Sequence, residues 1–154
     1  MSEALPRTGR LVGVDFGTVR LGIAISDARQ TIASPLDNYT RGSTDQDANY
    51  FRRLVKEEAI VGLVVGLPVH MSGDESQKSL EAREFGKWLA EATGLPVDFH
   101  DERFSSSIAD DFLGIGQLSK KQRQKRRDML AAQVILANYL ESDCRPSDPA
   151  LPEF

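Results

Sequence analysis

Leu11-Val12-Gly13-Val14-Asp15-Phe16-Gly17-Thr18 is the stretch from which the fold is read. It is an apolar, β-branched run that carries one carboxylate and stops at a glycine. A strand of this kind is buried on both faces, and an aspartate in it gives up solvation and strand propensity. A buried carboxylate has to be paired, hydrogen-bonded or bound to a metal. Taken alone, Asp15 could simply end the strand and hydrogen-bond the Gly17 turn. Other segments decide between these roles.

The chain has 154 residues, 40% hydrophobic and 27% charged, which suits a single globular domain with one core. No apolar run approaches the roughly 20 residues that span a bilayer, so no membrane association is expected. Met1 to Arg10 lacks an apolar segment of the secretory kind, and a cytoplasmic location is expected. The single Cys144 excludes an internal disulfide framework and a cysteine-based zinc site, and two histidines offer little else for zinc. A net charge of −4 does not by itself suggest a polyanionic partner.

Outward from the opening stretch, residues 1–9 form a polar tail expected to be mobile. Strands are expected at Arg10–Phe16, Leu21–Ser26 and Thr31–Tyr39. The short link makes the first two an antiparallel hairpin, and Pro35 puts the third at an edge. Thr44 and Asp45 can cap a helix running to about Ala59, with Ala48, Phe51, Leu54 and Val55 inward. Ile60–Gly66 is a second fully apolar strand. A helix from Asp74 to Thr93 buries Ala82, Phe85, Trp88, Leu89 and Ala92, and Gly94 closes it. Val97–His100 is a fifth strand. A helix can follow from Ser105 to Leu113, then a loop Gly114–Gln124, then a last helix Arg126–Ser142. Residues 143–154 carry three prolines and no periodicity, so a disordered tail is expected. The domain thus occupies residues 10–142. It is an α/β fold with a mixed five-stranded sheet, its first three strands antiparallel and its last two parallel, flanked by helices.

On such sheets ligands bind beyond the carboxyl ends of the strands. Asp15 and the Asp101/Glu102 pair both lie there. In the last helix Asp128, Ala132, Ile135 and Tyr139 share one face, so Asp128 begins the buried stripe. Asp128 alone could merely favour the positive end of the helix dipole. Together, Asp15, Glu102 (or Asp101) and Asp128 are three acids from distant segments. Like charges gathered in a cleft repel, and a divalent cation removes the conflict. Oxygen donors without a histidine cluster suit Mg²⁺ or Mn²⁺, and a pair of such ions can hydrolyse a phosphodiester. Directly before Asp128, Lys120, Lys121, Arg123, Lys125, Arg126 and Arg127 place six cations in eight positions. Cations at a helix N-terminus oppose the dipole, so helix stability does not explain them, whereas a passing phosphate backbone would. Arg20 and Arg103, each beside a candidate acid, could hold a phosphate or pair with the acids.

Four motifs in order resemble one family. Asp15-Phe16-Gly17-Thr18-x-Arg20-x-Gly22-x-Ala24 is similar to the first motif of the YqgF/RuvX family, bacterial proteins of the ribonuclease H-like fold. Gly66-Leu67-Pro68-x-x-Met71-x-Gly73, Asp101-Glu102-Arg103-x-Ser105-Ser106-x-x-Ala109 and Asp128-x-x-Ala131-Ala132-x-x-Ile135-Leu136 resemble the second, third and fourth. Phe104 and Ser106 stand where the family more often has Leu and Thr, and the basic run is denser than expected. The resemblance implies a cytoplasmic, metal-dependent nuclease. Its family was first described as Holliday-junction resolvases and is now usually assigned to maturation of the 5′ end of pre-16S ribosomal RNA. It implies Asp15, Glu102 and Asp128 as catalytic metal ligands, with Asp101, Arg20 and Arg103 in support. It implies a cleft loop containing Gly66, Pro68 and Gly73, with Gly17 at the neighbouring turn. Precursor ribosomal RNA, branched DNA and the small ribosomal subunit are the partners it suggests, for a monomer or weak homodimer.

Two other readings stay open. Val14–Thr18 also resembles the phosphate motif of actin-like and sugar-kinase ATPases, but those need two lobes and a second Asp-Gly loop. A non-catalytic RNA-binding assembly factor would explain the basic run equally well, and only the acids argue against it.

Overall fold

The computed structural model describes residues 5–67, 77–101 and 120–141, with residues 77, 78, 101 and 120–128 as backbone only. Strands β1 (Arg10–Asp15), β2 (Arg20–Ser26), β3 (Ala33–Thr40), β4 (Ile60–Leu67) and β5 (Val97–Asp101) form one sheet in the order β3-β2-β1-β4-β5. β1 and β3 each pair antiparallel with β2, while β4 pairs parallel with both β1 and β5. This is the mixed sheet expected, with β3 at an edge. Pro35 lacks the N–H that an inner strand would need. The register with β2 also slips beside it, from Ile23↔Asp37 to Ala24↔Pro35.

Helices α1 (Thr44–Glu58) and α2 (Gln77–Thr93) cover one face and α3 (Lys120–Glu141) the other. β1 divides its side chains between them. Val12 and Val14 join Phe51 of α1 and Phe85 and Leu89 of α2 in one core. Leu11 joins Ala132, Ile135 and Leu136 of α3 in the other. This is why the strand is apolar at every position rather than at alternate ones. Among the described residues no helix is long and apolar enough to cross a membrane.

Three local expectations are corrected. The cap of α1 is Ser43, not Thr44 or Asp45: its hydroxyl accepts from the Gln46 N–H, while the Gln46 side chain accepts from the Ser43 N–H. α3 begins at Lys120 rather than Arg126, so the basic run is helical and not in a loop. Lys, Arg and Gln are strong helix formers, and their summed propensity outweighs the unfavourable dipole. The N-terminal segment, read as wholly polar, carries one core residue, Leu5. Leu5 is 2% exposed in the α3-side core, and the Gln30 side chain donates to the carbonyls of Pro6 and Gly9. The expected loop 68–73, the helix Ser105–Leu113 and the tail 143–154 lie outside the described residues.

Gly13 seats α3 on the sheet. A Cβ at this position would stand 2.8 Å from Leu136 Cβ and 3.1 Å from the Ala132 carbonyl oxygen. Neither atom is the free end of a flexible side chain, so Gly13→Ala forces the helix away from β1. The expected loss is about 1–3 kcal/mol, measured by urea unfolding. A loss below about 0.5 kcal/mol, the level of an ordinary surface substitution, would mean that the contact does not fix the helix.

Candidate functional site

Asp15 is the last residue of β1, half-buried, and pairs with Gly22 of β2. It has the parity of Leu11 and Gly13, which face α3. Arg20 shares the parity of Ala24 in β2, so it also belongs to the α3 side of this sheet end. On β5, Asp98 and His100 take the same side: the Tyr139 hydroxyl of α3 donates to Asp98 at 3.0 Å, and the Tyr139 ring meets His100 edge-on at 6.2 Å. Asp101 is in register with Leu67, whose side chain belongs to the opposite core. Asp128 lies one turn before Ala132, whose carbonyl oxygen rests against Gly13. The structure therefore brings Asp15, Arg20 and the helix bearing Asp128 to one side of the carboxyl edge.

Lys120, Lys121, Arg123, Lys125, Arg126 and Arg127 occupy the first turns of α3 by backbone only, as does Asp128. Gly66 is buried in β4. Pro68, Gly73, Glu102 and Arg103 lie outside the described residues. Among the described residues no three His, Cys, Asp or Glu side chains form a metal-holding group. Asp15 is a hard oxygen donor, and that chemistry fits Mg²⁺ or Mn²⁺.

The turn after Asp15 is held tightly. A Cβ on Gly17 would lie 2.3 Å from the Arg20 carbonyl oxygen, so only glycine fits there. The Arg41 N–H donates to Val19 O at 2.9 Å, and the Arg41 guanidinium donates to Gly17 O at 3.2 Å. The guanidinium lies 5.6 Å from the Phe16 ring centre and 5.5 Å from that of Phe85. Its charge is paired with Asp47, 2% exposed, which also accepts from the Tyr39 hydroxyl and the Gly42 N–H.

The chain matches a family model described as "RuvX: Holliday junction resolvase" over residues 9–142. The chain belongs to the RuvX family. A Rhodopirellula baltica relative named "Putative pre-16S rRNA nuclease" is 46% identical over 143 residues, covering 93% of this chain and 82% of that protein. A Paracoccus denitrificans relative of the same name is 41% identical over 140 residues, covering 91% and 89%. A solved Thermus thermophilus RuvC superposes at a TM-score of 0.49 with 15% identity, over 85% of this chain and 93% of that one. This likeness is too weak to bear on function.

The Asp47–Arg41 cluster of this RuvX chain is absent from the expectations above. Asp47 reads in sequence as one more acid in a helix's first turn, and Arg41 as a loop cation. Only the packing of β3 against α1 joins them.

Removing Asp47 leaves the Tyr39 and Gly42 donors and a partly buried guanidinium without their acceptor. Asp47→Ala is expected to cost about 2–4 kcal/mol in denaturant unfolding. A cost near zero would show that water replaces the carboxylate freely. Burial, and then the bond to Asp47, push the Tyr39 hydroxyl up from 10.0 to about 12. Burial and the bond to Asp37 likewise hold Tyr50 above the ordinary tyrosine range. Both phenols keep their protons more tightly folded than unfolded. The stability they contribute is therefore complete below pH 10.0 and declines above it, the Tyr39 share being lost as the pH rises through about 12. Tyrosinate absorbance should lag behind that of free tyrosine in this window and then rise together with unfolding.

Proposed function

We propose that this protein is a metal-dependent nuclease that hydrolyses phosphodiester bonds. Its substrate in this reading is the 5′ end of pre-16S ribosomal RNA, cut in the cytoplasm during small-subunit assembly by a monomer or weak homodimer. The observation that carries the reading is Asp15, a half-buried acid at the end of the central strand on the side where α3 is seated. The names of the relatives support the RNA substrate.

In this reading Asp15, Glu102 and Asp128 hold one or two Mg²⁺ or Mn²⁺ ions. Such ions lower the pKa of bound water and offset charge on the phosphate. Glu102 is preferred to Asp101 as the direct ligand. The backbone of Asp101 is in register with Leu67 of β4, and the preference for Glu102 rests on the resemblance of the third motif. Asp101 supports the site in this reading. Arg20, on the α3 side, would hold a phosphate oxygen in this reading, with Arg103 in the same role. The cations at the start of α3 align the nucleic-acid backbone with Asp128. Resolution of a four-way DNA junction, the activity in the family's description, is the competing substrate. It needs two sites related by a two-fold axis, whereas trimming an RNA end needs one.

Asp15→Asn should lower Mn²⁺-dependent cleavage of precursor RNA by more than about 100-fold, beyond what loss of an outer-shell partner costs, with RNA binding retained. If the wild-type chain cuts neither precursor RNA nor a four-way junction with any divalent cation, a non-catalytic binder is the better description. Alanine at Arg123, Lys125 and Arg127 together should flatten the logarithmic salt dependence of binding by up to about 2, at roughly 0.7 per phosphate on a single strand. An unchanged slope removes this run from the binding surface.

A further inference from the structure

The residue after Asp15 opens a second feature, on the other side of the same sheet edge. Phe16 has the parity of Val12 and Val14 and packs against the α2 ring of Phe85, at 5.0 Å between centroids. Between Phe16, Arg41, Thr44 and the α2 residues Glu81, Glu84 and Trp88 lies an open hollow of about 240 Å³. Its walls are of two kinds. Phe16, the Trp88 indole 5.6 Å from Phe85, and the guanidinium over both phenylalanine rings form a polarisable floor of rings tilted to one another. Glu81 and Glu84, one helical turn apart, line its rim with carboxylate acceptors.

This combination rejects a phosphate. The rim is acidic, and Asp47 already pairs with the Arg41 charge. It also suits a purely apolar side chain poorly, because carboxylates would border it unpaired. It fits a flat, uncharged group with hydrogen-bond donors along one edge. An unpaired nucleobase is such a group: single-stranded bases stack on aromatic rings and guanidinium planes, and an exocyclic amine donates to a carboxylate. The hollow begins one residue from Asp15, and consecutive Cα atoms are about 3.8 Å apart. A strand with a phosphate at Asp15 can therefore turn a nearby base over the sheet edge.

We infer that the hollow bounded by Phe16, Arg41, Glu81, Glu84 and Trp88 receives an unpaired, amine-bearing base of the nucleic acid, beside the proposed cleavage site. This rests on the nuclease reading for its substrate class. It restricts that class to nucleic acid that is single-stranded next to the cut.

Trp88 is the only tryptophan of the chain, so its fluorescence reports this hollow alone. Metal-free full-length protein is titrated with short oligo(A), oligo(C) and oligo(U) RNA, a fully paired RNA duplex, adenosine and inorganic phosphate. Binding of the RNAs is followed separately by anisotropy of a label. The inference expects saturable quenching by oligo(A), oligo(C) and adenosine, less by oligo(U), and none by duplex or phosphate. Trp88→Ala should weaken oligo(A) binding about 5- to 150-fold, the range for losing one stacked base, and Trp88→Phe should restore most of it. Because Trp88→Ala could perturb packing, Glu81→Gln with Glu84→Gln is the companion variant, which should abolish the preference over oligo(U). RNA that binds by anisotropy while Trp88 stays silent overturns the inference, and so does equal quenching by duplex and single strand. If no RNA binds at all, the inference falls, and cleavage of precursor RNA or of a four-way junction still decides the nuclease reading. Quenching as expected in a chain that never cleaves keeps the hollow and removes only the nuclease reading.

Discussion

The position of α3 depends on a missing side chain. Gly13 lets Leu136 and the Ala132 carbonyl approach β1 more closely than any Cβ would allow. Two further contacts fix the helix across the sheet. The Gln133 amide donates to the Ala33 carbonyl of β3 at 2.9 Å, and the Tyr139 hydroxyl reaches Asp98 of β5. A helix held over both outer strands and seated on the central one cannot roll or slide without losing several contacts at once. Because Asp128 is one turn from Ala132, its placement is inherited from this seat. In this protein, core packing and the proposed chemistry are therefore the same constraint.

The opposite face adds a buried charge cluster to its apolar core. Asp47 is buried at the start of α1 and gathers a phenol, a guanidinium and a backbone N–H. Removing two charges from water is costly, and such clusters rarely add much stability. What this one does is directional. The same arginine that satisfies Asp47 also takes up the carbonyls of Val19 and Gly17, which would otherwise leave the hairpin turn loosely held. The turn that follows Asp15 is thereby tied to α1, on the far side of the sheet from α3.

The central strands were legible because burial on both faces demands apolar residues at consecutive positions, and Leu11–Val14 and Ile60–Gly66 have no other stable use. The inward faces of α1 and α2 followed from periodicity alone. The start of α3 did not, because dipole repulsion in a run of cations is weak beside the helix propensity of Lys, Arg and Gln. Leu5 escaped because one apolar residue has no period. Asp15 could be read as a site because it ends its strand. Sequence alone could not separate Asp101 from Glu102, because the register of β5 is set by pairing with β4 rather than by local sequence. The aromatic hollow lay furthest from view. Its parts come from the turn after β1, the β3–α1 connection, the start of α1 and α2, and only tertiary packing unites them.

Strand alternation gives Asp15 and Phe16 their separate tasks. Two consecutive residues leave the sheet on opposite faces, so an acid facing α3 and a ring facing α2 come from one short segment. A slip of one residue in the register of β1 would exchange them. It would bring the carboxylate into the core of Phe51 and Phe85 and turn the ring toward α3. Pairing on both sides opposes that slip: Asp15↔Gly22 in one direction and Val14↔Val65 in the other. The hollow and the carboxylate therefore keep a fixed relation across the sheet edge. A strand of nucleic acid lying over this edge would meet an acid on one face and a stacking floor on the other, at a spacing set by the backbone itself.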